Sequence, residues 1–197
     1  MIVISTTGKP PPHARALCLH SVASQDVQAR HVYIDTETEP PCLDGFPHFP
    51  NLIRVIADLP DDEIIVSLDG DDWLTPGALA FVQSAHDAGA LVTYGSFRYA
   101  DGRAGFAAPL AGPVRQSPWV TTHLKTFRAG LFRRIKHTDL RNEDGWLEHA
   151  RDMALMFPLV EMAGSRAVFI PEILMVYNAA NSSEFRHGAP EIAVERA

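Results

Sequence analysis

Ile2-Val3-Ile4-Ser5 opens the chain with a β-branched run that Gly8-Lys9-Pro10-Pro11-Pro12 breaks at once. A short apolar run closed by turn formers predicts a buried strand. From His13 to Ser24, Ala16, Leu17, Leu19, His20 and Val22 supply much of one side of a predicted helix. His31-Val32-Tyr33-Ile34-Asp35 reads as a second strand ending on an acid. The Pro-rich stretch from Glu39 to Pro50 reads as an ordered loop, because Phe46 and Phe49 lie inside it, and Asn51 to Ala57 as a short helix. Ile64-Ile65-Val66-Ser67-Leu68 is apolar nearly throughout, as a central parallel strand is. It runs directly into Asp69-Gly70-Asp71-Asp72-Trp73. Thr75 is the expected N-cap of the next helix, with Pro76 at its first position and its end near Asp87.

Ala90-Leu91-Val92-Thr93-Tyr94 predicts a further strand, and Gly95 to Trp119 a mixture of short strands and loops. Lys125 to Phe127 reads as a strand, Ala129 to Ile135 as a short helix and Arg151 to Ala163 as a longer one. Ala167-Val168-Phe169-Ile170 and Ile173-Leu174-Met175-Val176-Tyr177 read as two strands. This alternation implies a single α/β domain over residues 1–183, with a mixed, mostly parallel sheet and helices on both faces, followed by a tail at 184–197. Ligands of such sheets bind beyond the carboxyl ends of the strands. Asp35 and the Asp69 to Asp72 group both stand at such ends.

Composition narrows the field of partners. Seventeen basic against 24 acidic residues give a net charge of −7, which disfavours polyanion binding. The densest basic stretch is Arg128, Arg133, Arg134 and Lys136. Cys18 and Cys42 match no zinc spacing and read as reduced thiols. No run approaches the ~20 apolar residues of a membrane span. The opening MIVISTT is too short for a signal peptide and has no basic n-region. The expectation is a cytoplasmic chain without an integral membrane segment.

Crowding Asp69, Asp71 and Asp72 into one turn costs energy unless a cation sits among them. Mg²⁺ or Mn²⁺ suits oxygen ligands and shares them with phosphate. Gly70 is expected to permit the sharp turn that aims the acids at one point. The same acids are compatible with a helix cap, which favours negative charge near the dipole's positive end. They also suit a metal-dependent phosphoesterase.

With those residues in view, the chain resembles the family-two, inverting glycosyltransferases of the GT-A fold, a Rossmann-like nucleotide-diphospho-sugar transferase architecture. Leu19-His20-Ser21-Val22-Ala23-Ser24-Gln25 is similar to their first-helix pattern, and Val32-Tyr33-Ile34-Asp35 to the strand ending at a base-contacting acid. Ser67-Leu68-Asp69-Gly70-Asp71-Asp72-Trp73-Leu74 is similar to their DxD segment. Ala90 to Gly95, His123 to Arg128, Pro158 to Gly164 and Val176-Tyr177-Asn178 resemble small viral and bacterial members. The resemblance implies transfer of a sugar from a uridine diphosphate donor to an acceptor hydroxyl on a glycan, a protein or a modified nucleic acid, with Mn²⁺ or Mg²⁺ as cofactor.

It further implies roles. Asp35 contacts the base, and Asp69 and Gly70 the ribose or the metal's water shell. Asp71 holds metal, Asp72 holds metal or positions the turn, and Thr6 lies near the nucleotide. Asp152, at a helix start, is the general base that takes the acceptor's proton. Asp144 and Glu148 are alternative bases. Lys125 and Arg128 are candidates for the diphosphate through charge-assisted bonds. His123, Trp119, Trp146 and Glu161 are candidates for the sugar or acceptor. The chain departs from the family in having Thr36 after Asp35, Arg151 rather than Glu before Asp152, and no His close after Asn178. Those departures keep a non-catalytic nucleotide-sugar-binding module as the alternative.

Overall fold

The computed structural model describes residues 1–7, 10–35, 48–147 and 149–179. In chain order the elements are β1 (Ile2–Thr7), α1 (Pro12–Ala23), β2 (Arg30–Asp35), α2 (His48–Ile56), β3 (Ile64–Asp69) and β4 (Trp73–Leu74). There follow α3 (Ala78–Asp87), β5 (Val92–Tyr99), β6 (Lys125–Arg128) and α4 (Ala129–Phe132). A small hairpin of β7 (Arg141–Asn142) and β8 (Gly145–Trp146), then α5 (Arg151–Ala163) and β9 (Ala167–Tyr177), complete it. Seven strands form one sheet in the order β2-β1-β3-β6-β5-β9-β4. Strands β1, β2, β3, β5 and β9 run parallel, while β6 and β4 run against them. The mixed, mostly parallel α/β sheet expected from the sequence is the one observed.

Strand alternation divides the core between the two faces of the sheet. Ile2, Ile4 and Ile65 face α2, α4 and α5, with Phe49, Leu52, Phe132, Met156 and Leu159 packed against them. Val3, Val66 and Leu68 face α1 and α3, with Cys18, Val22, Leu79 and Val82 on that side. Even Ser5, on the α1 face, is fully buried, and its hydroxyl bonds His31 Nε2 at 2.9 Å.

Three local expectations need correction. Thr75 does not cap α3: its hydroxyl donates to the Ile173 carbonyl at 2.8 Å. Pro76 and Gly77 instead form a turn closed by Ala78 N–H on the Thr75 carbonyl at 3.2 Å, with Gly77 at φ 75°. Pro at the second position and Gly at a positive-φ third position define a type II turn. The two strands expected after Gly164 are one, continuous through Pro171, with the register slipping opposite Gly95 and Ser96. Ala129 to Ile135 is helical only as far as Phe132. The stretch 39–47, including Cys42, and the tail from 184 lie outside the described residues. Among the described residues no helix is long and apolar enough to cross a membrane.

Candidate active site

The carboxyl ends of β1 and β3 meet level with one another: Thr6 pairs with Asp69 in the ladder. Side chains two apart on a strand share a face. Thr6 therefore follows Ile2 and Ile4, and Asp69 follows Ile65, onto the face covered by α2 and α5. There Thr6 Oγ1 and His48 Nδ1 share a hydrogen bond of 2.9 Å. His48 opens α2 and is buried. Burial, reinforced by the Arg151 charge, pushes its pKa down to about 3, so the ring is neutral near pH 7.

The antiparallel insertion of β6 brings in the next residue. Lys125 lies opposite Ser67 and therefore on the same face as Asp69. Its side chain is 2% exposed, and Nζ donates to Asp152 Oδ1 at 2.5 Å. Burial works to lower the ammonium's pKa, but Asp152 and then Asp69 outweigh it and the pKa is raised. Asp152 stands in the first turn of α5, which the chain enters through Ala150 at φ 51°. A left-handed non-glycine residue is costly by about 1 kcal/mol or more, and here it aims the helix start at the sheet edge. Desolvation by the surrounding side chains works to raise the Asp152 pKa, although the side chain is 42% exposed. Lys125 and then His123 outweigh it and hold the carboxyl well below the usual carboxylate range.

His123 reaches the same carboxylate from the other side, with Nε2 3.9 Å from Oδ2. Its ring stacks on Tyr177 at 5.4 Å and meets Phe97 edge-to-face at 5.5 Å. Burial, then the Lys125 charge, push its pKa down to about 4. Thr6, His48, Asp69, Lys125, His123 and Asp152 thus form one constellation at the carboxyl edge. His48 was missed from the sequence. It is a single histidine inside the Pro-rich stretch, with no periodicity or partner motif to single it out.

The acidic turn closes through Asp72 N–H on the Asp69 carbonyl at 3.0 Å and Gly70 N–H on the Thr6 carbonyl at 3.1 Å. Tyr33 donates its hydroxyl to the Gly70 carbonyl at 2.9 Å. Gly70 is not among the positive-φ glycines, so the turn does not use left-handed freedom there. Asp72 corrects the expectation of a third outward acid. It is 1% exposed, and its Oδ1 accepts Asn178 N–H at 2.7 Å. Burial and then Asp69 push its pKa well above the usual carboxylate range. It ties the turn to the end of β9 rather than facing solvent.

Asp69 and Asp71 are half-buried on the turn. No cluster of three His, Cys, Asp or Glu side chains fit to hold a metal exists among the described residues. Mg²⁺ needs no such cage: it is commonly held by one or two carboxylates, with water and substrate phosphates completing the shell. Asp69 and Asp71 fit that requirement. Beneath them Cys18 is fully buried, and burial pushes its thiol up to about 12, which leaves it inert.

Several expected residues stand elsewhere. Arg128 pairs with Ile64, at the opposite end of β3 from Asp69. The antiparallel run of β6 carries it about 10 Å from Lys125 along the strand. There its guanidinium donates to the Asp62 carbonyl and, at 3.0 Å, to the His86 carbonyl. Arg128→Ala is therefore expected to cost about 1–3 kcal/mol of stability in urea denaturation, while calorimetric UDP affinity stays unchanged. Weakened UDP binding would return Arg128 to the site.

Glu161 forms a two-pronged pair with Arg115, Nε to Oε1 at 2.6 Å and NH2 to Oε2 at 3.1 Å, on the exposed side of α5. At ~1.5 Å rise per residue it lies some two and a half turns from Asp152. Trp119 packs edge-to-face on Phe157 at 5.7 Å. Trp146 leans on Phe49 at 6.5 Å, and the Arg141 guanidinium sits 4.7 Å above its ring. Both rings are half-buried and pack against the core from its margin. Asp144 is exposed in the hairpin turn, while Glu148 and the Asp35 side chain lie outside what the structure describes. The Asp35 backbone does end β2 level with Thr7.

With this geometry in place, comparison with known proteins defines the fold class as that of solved glycosyltransferase structures. The structures concerned are of TarS from S. aureus. Its 1–349 form superposes with a TM-score of 0.65 at 14% identity, over 91% of this chain and 61% of that one. The same form in complex with UDP-GlcNAc gives 0.61 at 14% identity, over 90% and 58%. The form in complex with UDP gives 0.61 at 13% identity, over 90% and 60%. This chain thus spans about three fifths of those structures, and 36% of a longer TarS structure. No family model and no curated protein sequence matches it.

Proposed function

We propose that the chain is a metal-dependent, inverting glycosyltransferase of the family-two GT-A type, using a uridine diphosphate sugar. One observation carries the reading. A turn presenting Asp69 and Asp71 lies at the same carboxyl edge as a carboxylate at a helix start, Asp152, with buried Lys125 paired to Asp152 and sensing the charge of Asp69. The fold shared with a protein solved with UDP and with UDP-GlcNAc supports it.

In this reading Asp35 contacts the base and Asp69 the ribose. Asp71, with Asp69 beside it, holds Mg²⁺ or Mn²⁺, which supplies neutralisation of the departing diphosphate. His123, neutral and wedged between Tyr177 and Asp152, orients the sugar or acceptor. The acceptor hydroxyl oxygen attacks the anomeric carbon opposite the diphosphate, the carbon–oxygen bond to the diphosphate breaks, and Asp152 takes the hydroxyl proton. The acceptor class is open among glycan, protein and modified nucleic acid. Arg151 and the Lys125–Asp152 ion pair favour a second reading, a binding module that keeps the donor site without turnover. Sugar transfer measured with UDP-GlcNAc and an acceptor panel separates the two.

UDP is expected to bind markedly tighter with Mg²⁺ or Mn²⁺ than in EDTA, because diphosphate and carboxylates repel without a cation between them. Asp71→Asn should remove the metal-dependent part and leave the thermal melt unchanged. Equal affinity in EDTA and metal would end the metal role. A collapsed melt would make the acids structural.

A further inference from the structure

The pairing of Lys125 with Asp152 poses a problem for the function proposed above, and its solution is itself informative. A general base works best when its proton affinity lies near the working pH. Asp152 is held far from that range by an ammonium 2.5 Å away. That ammonium is nevertheless placed for another partner. Lys125 enters from β6 opposite Ser67, on the same face as Asp69 and two residues short of it along β3. Its stem is buried, and the Asp69 and Asp72 charges also act on it. A lysine head is a compact charge with three donors on a flexible stem, so it can exchange one oxyanion for another without moving the backbone.

We propose that Lys125 is a positioning residue that restrains Asp152 until a nucleoside diphosphate arrives, and that the diphosphate draws the ammonium toward the acidic turn and frees the carboxylate to accept the acceptor's proton. The inference rests on the glycosyltransferase reading and adds a regulation to it: the base is competent only in the donor complex. A diphosphate carries more charge and more acceptor oxygens than a single carboxylate, and charge-assisted bonds to phosphate are among the strong ones. The groups bearing on Asp152 are Lys125 from β6, His123 from the segment before it and His48 from α2. Both histidines are neutral at pH 7, with pKa values near 4 and 3, so Lys125 alone supplies a full positive charge among these three. The arrangement imposes an order, donor before acceptor activation.

The test is a carboxyl ¹³C NMR titration of aspartate-labelled protein, with the Asp152 resonance assigned by its disappearance in Asp152→Asn. The free protein should keep the Asp152 resonance at its ionised shift down to the lowest pH at which it stays folded. Saturating UDP and Mg²⁺ should bring its midpoint up into the folded range, a tenfold or greater gain in proton affinity. In Lys125→Met the midpoint should already be high without UDP and should not respond to it, and Lys125→Arg should restore part of the response. If that variant does not fold, the wild-type titration decides alone. UDP binding by calorimetry with an unmoved Asp152 midpoint would overturn the gate and leave the functional reading standing. Absence of UDP binding would overturn both.

Discussion

Asp152→Asn should lower the rate of sugar transfer by about 10²–10⁴-fold, the usual contribution of a general base, while donor affinity changes little. The two carboxyl oxygens become an amide of nearly the same shape, so α5 keeps its start. Nothing in an asparagine accepts a proton from the attacking hydroxyl. The base acts on the acceptor in the transition state, so kcat should fall and the donor dissociation constant should hold. Lys125 loses its counter-charge but retains the field of Asp69, which makes slightly tighter diphosphate binding the expected side effect. Turnover with a working acceptor, measured beside calorimetric UDP affinity, checks this. Near-normal turnover would move the role to Asp144 or Glu148. Lost UDP binding would place Asp152 in the donor site itself.

A second large effect concerns acid. His48 and His86 are buried, His123 is mostly so, and all three are neutral, with pKa values pushed to about 3, 4 and 4. Burial is the first cause in each, aided by the charges of Arg151, Arg128 and Lys125 respectively. In the unfolded chain all three titrate near 6.5. Between that value and about 4 the unfolded state holds more protons, so stability falls as pH falls. Asp72 opposes the trend, because its raised pKa lets the native state take up a proton first. Each net proton is worth about 1.4 kcal/mol per pH unit, so the decline should reach roughly 3 kcal/mol per unit. Set against the ~5–15 kcal/mol of a typical domain, this removes a large share of the stability by about pH 5. Urea denaturation at pH 7, 6 and 5 checks it. A stability that stays flat from pH 7 to 5 would refute the linkage, and His86→Gln should reduce the slope by about one proton.

The parallel strands were legible because buried strands announce themselves by unbroken β-branched runs such as Ile64 to Leu68. The acidic turn was legible because three acids directly after such a run need a reason. What misled was adjacency in sequence. Lys125 and Arg128 look like one basic pair, yet an antiparallel strand places the first at the site and the second at the far edge, on the face of α3. Pro76 and Gly77 carried the type II turn signature, but Thr75 before Pro76 also fits a helix start, and only tertiary contact with Ile173 decides. Asp72 was indistinguishable from Asp71 by chemistry. Its inward turn depends on Asn178, far along the chain. The Lys125–Asp152 pair has no local signal, since each residue is supplied by a different element.

The antiparallel β6 has a consequence for how such a chain can change. Strand β5 leaves the sheet at Tyr99 and β6 re-enters at Lys125, both on the rim that holds the acids. Residues 100–124 therefore begin and end beside the reacting groups, tethered at both sides by strands that do not depend on the length between them. Lengthening a tethered loop costs little, about 0.6 kcal/mol for each doubling. Insertion, deletion or exchange in its exposed stretch at 111–113 can alter the rim without disturbing a ladder, while buried Val114, Val120 and Leu124 hold the rest to the core. Descendants of this chain would be expected to diverge in acceptor choice there first, while the sheet below stays unchanged.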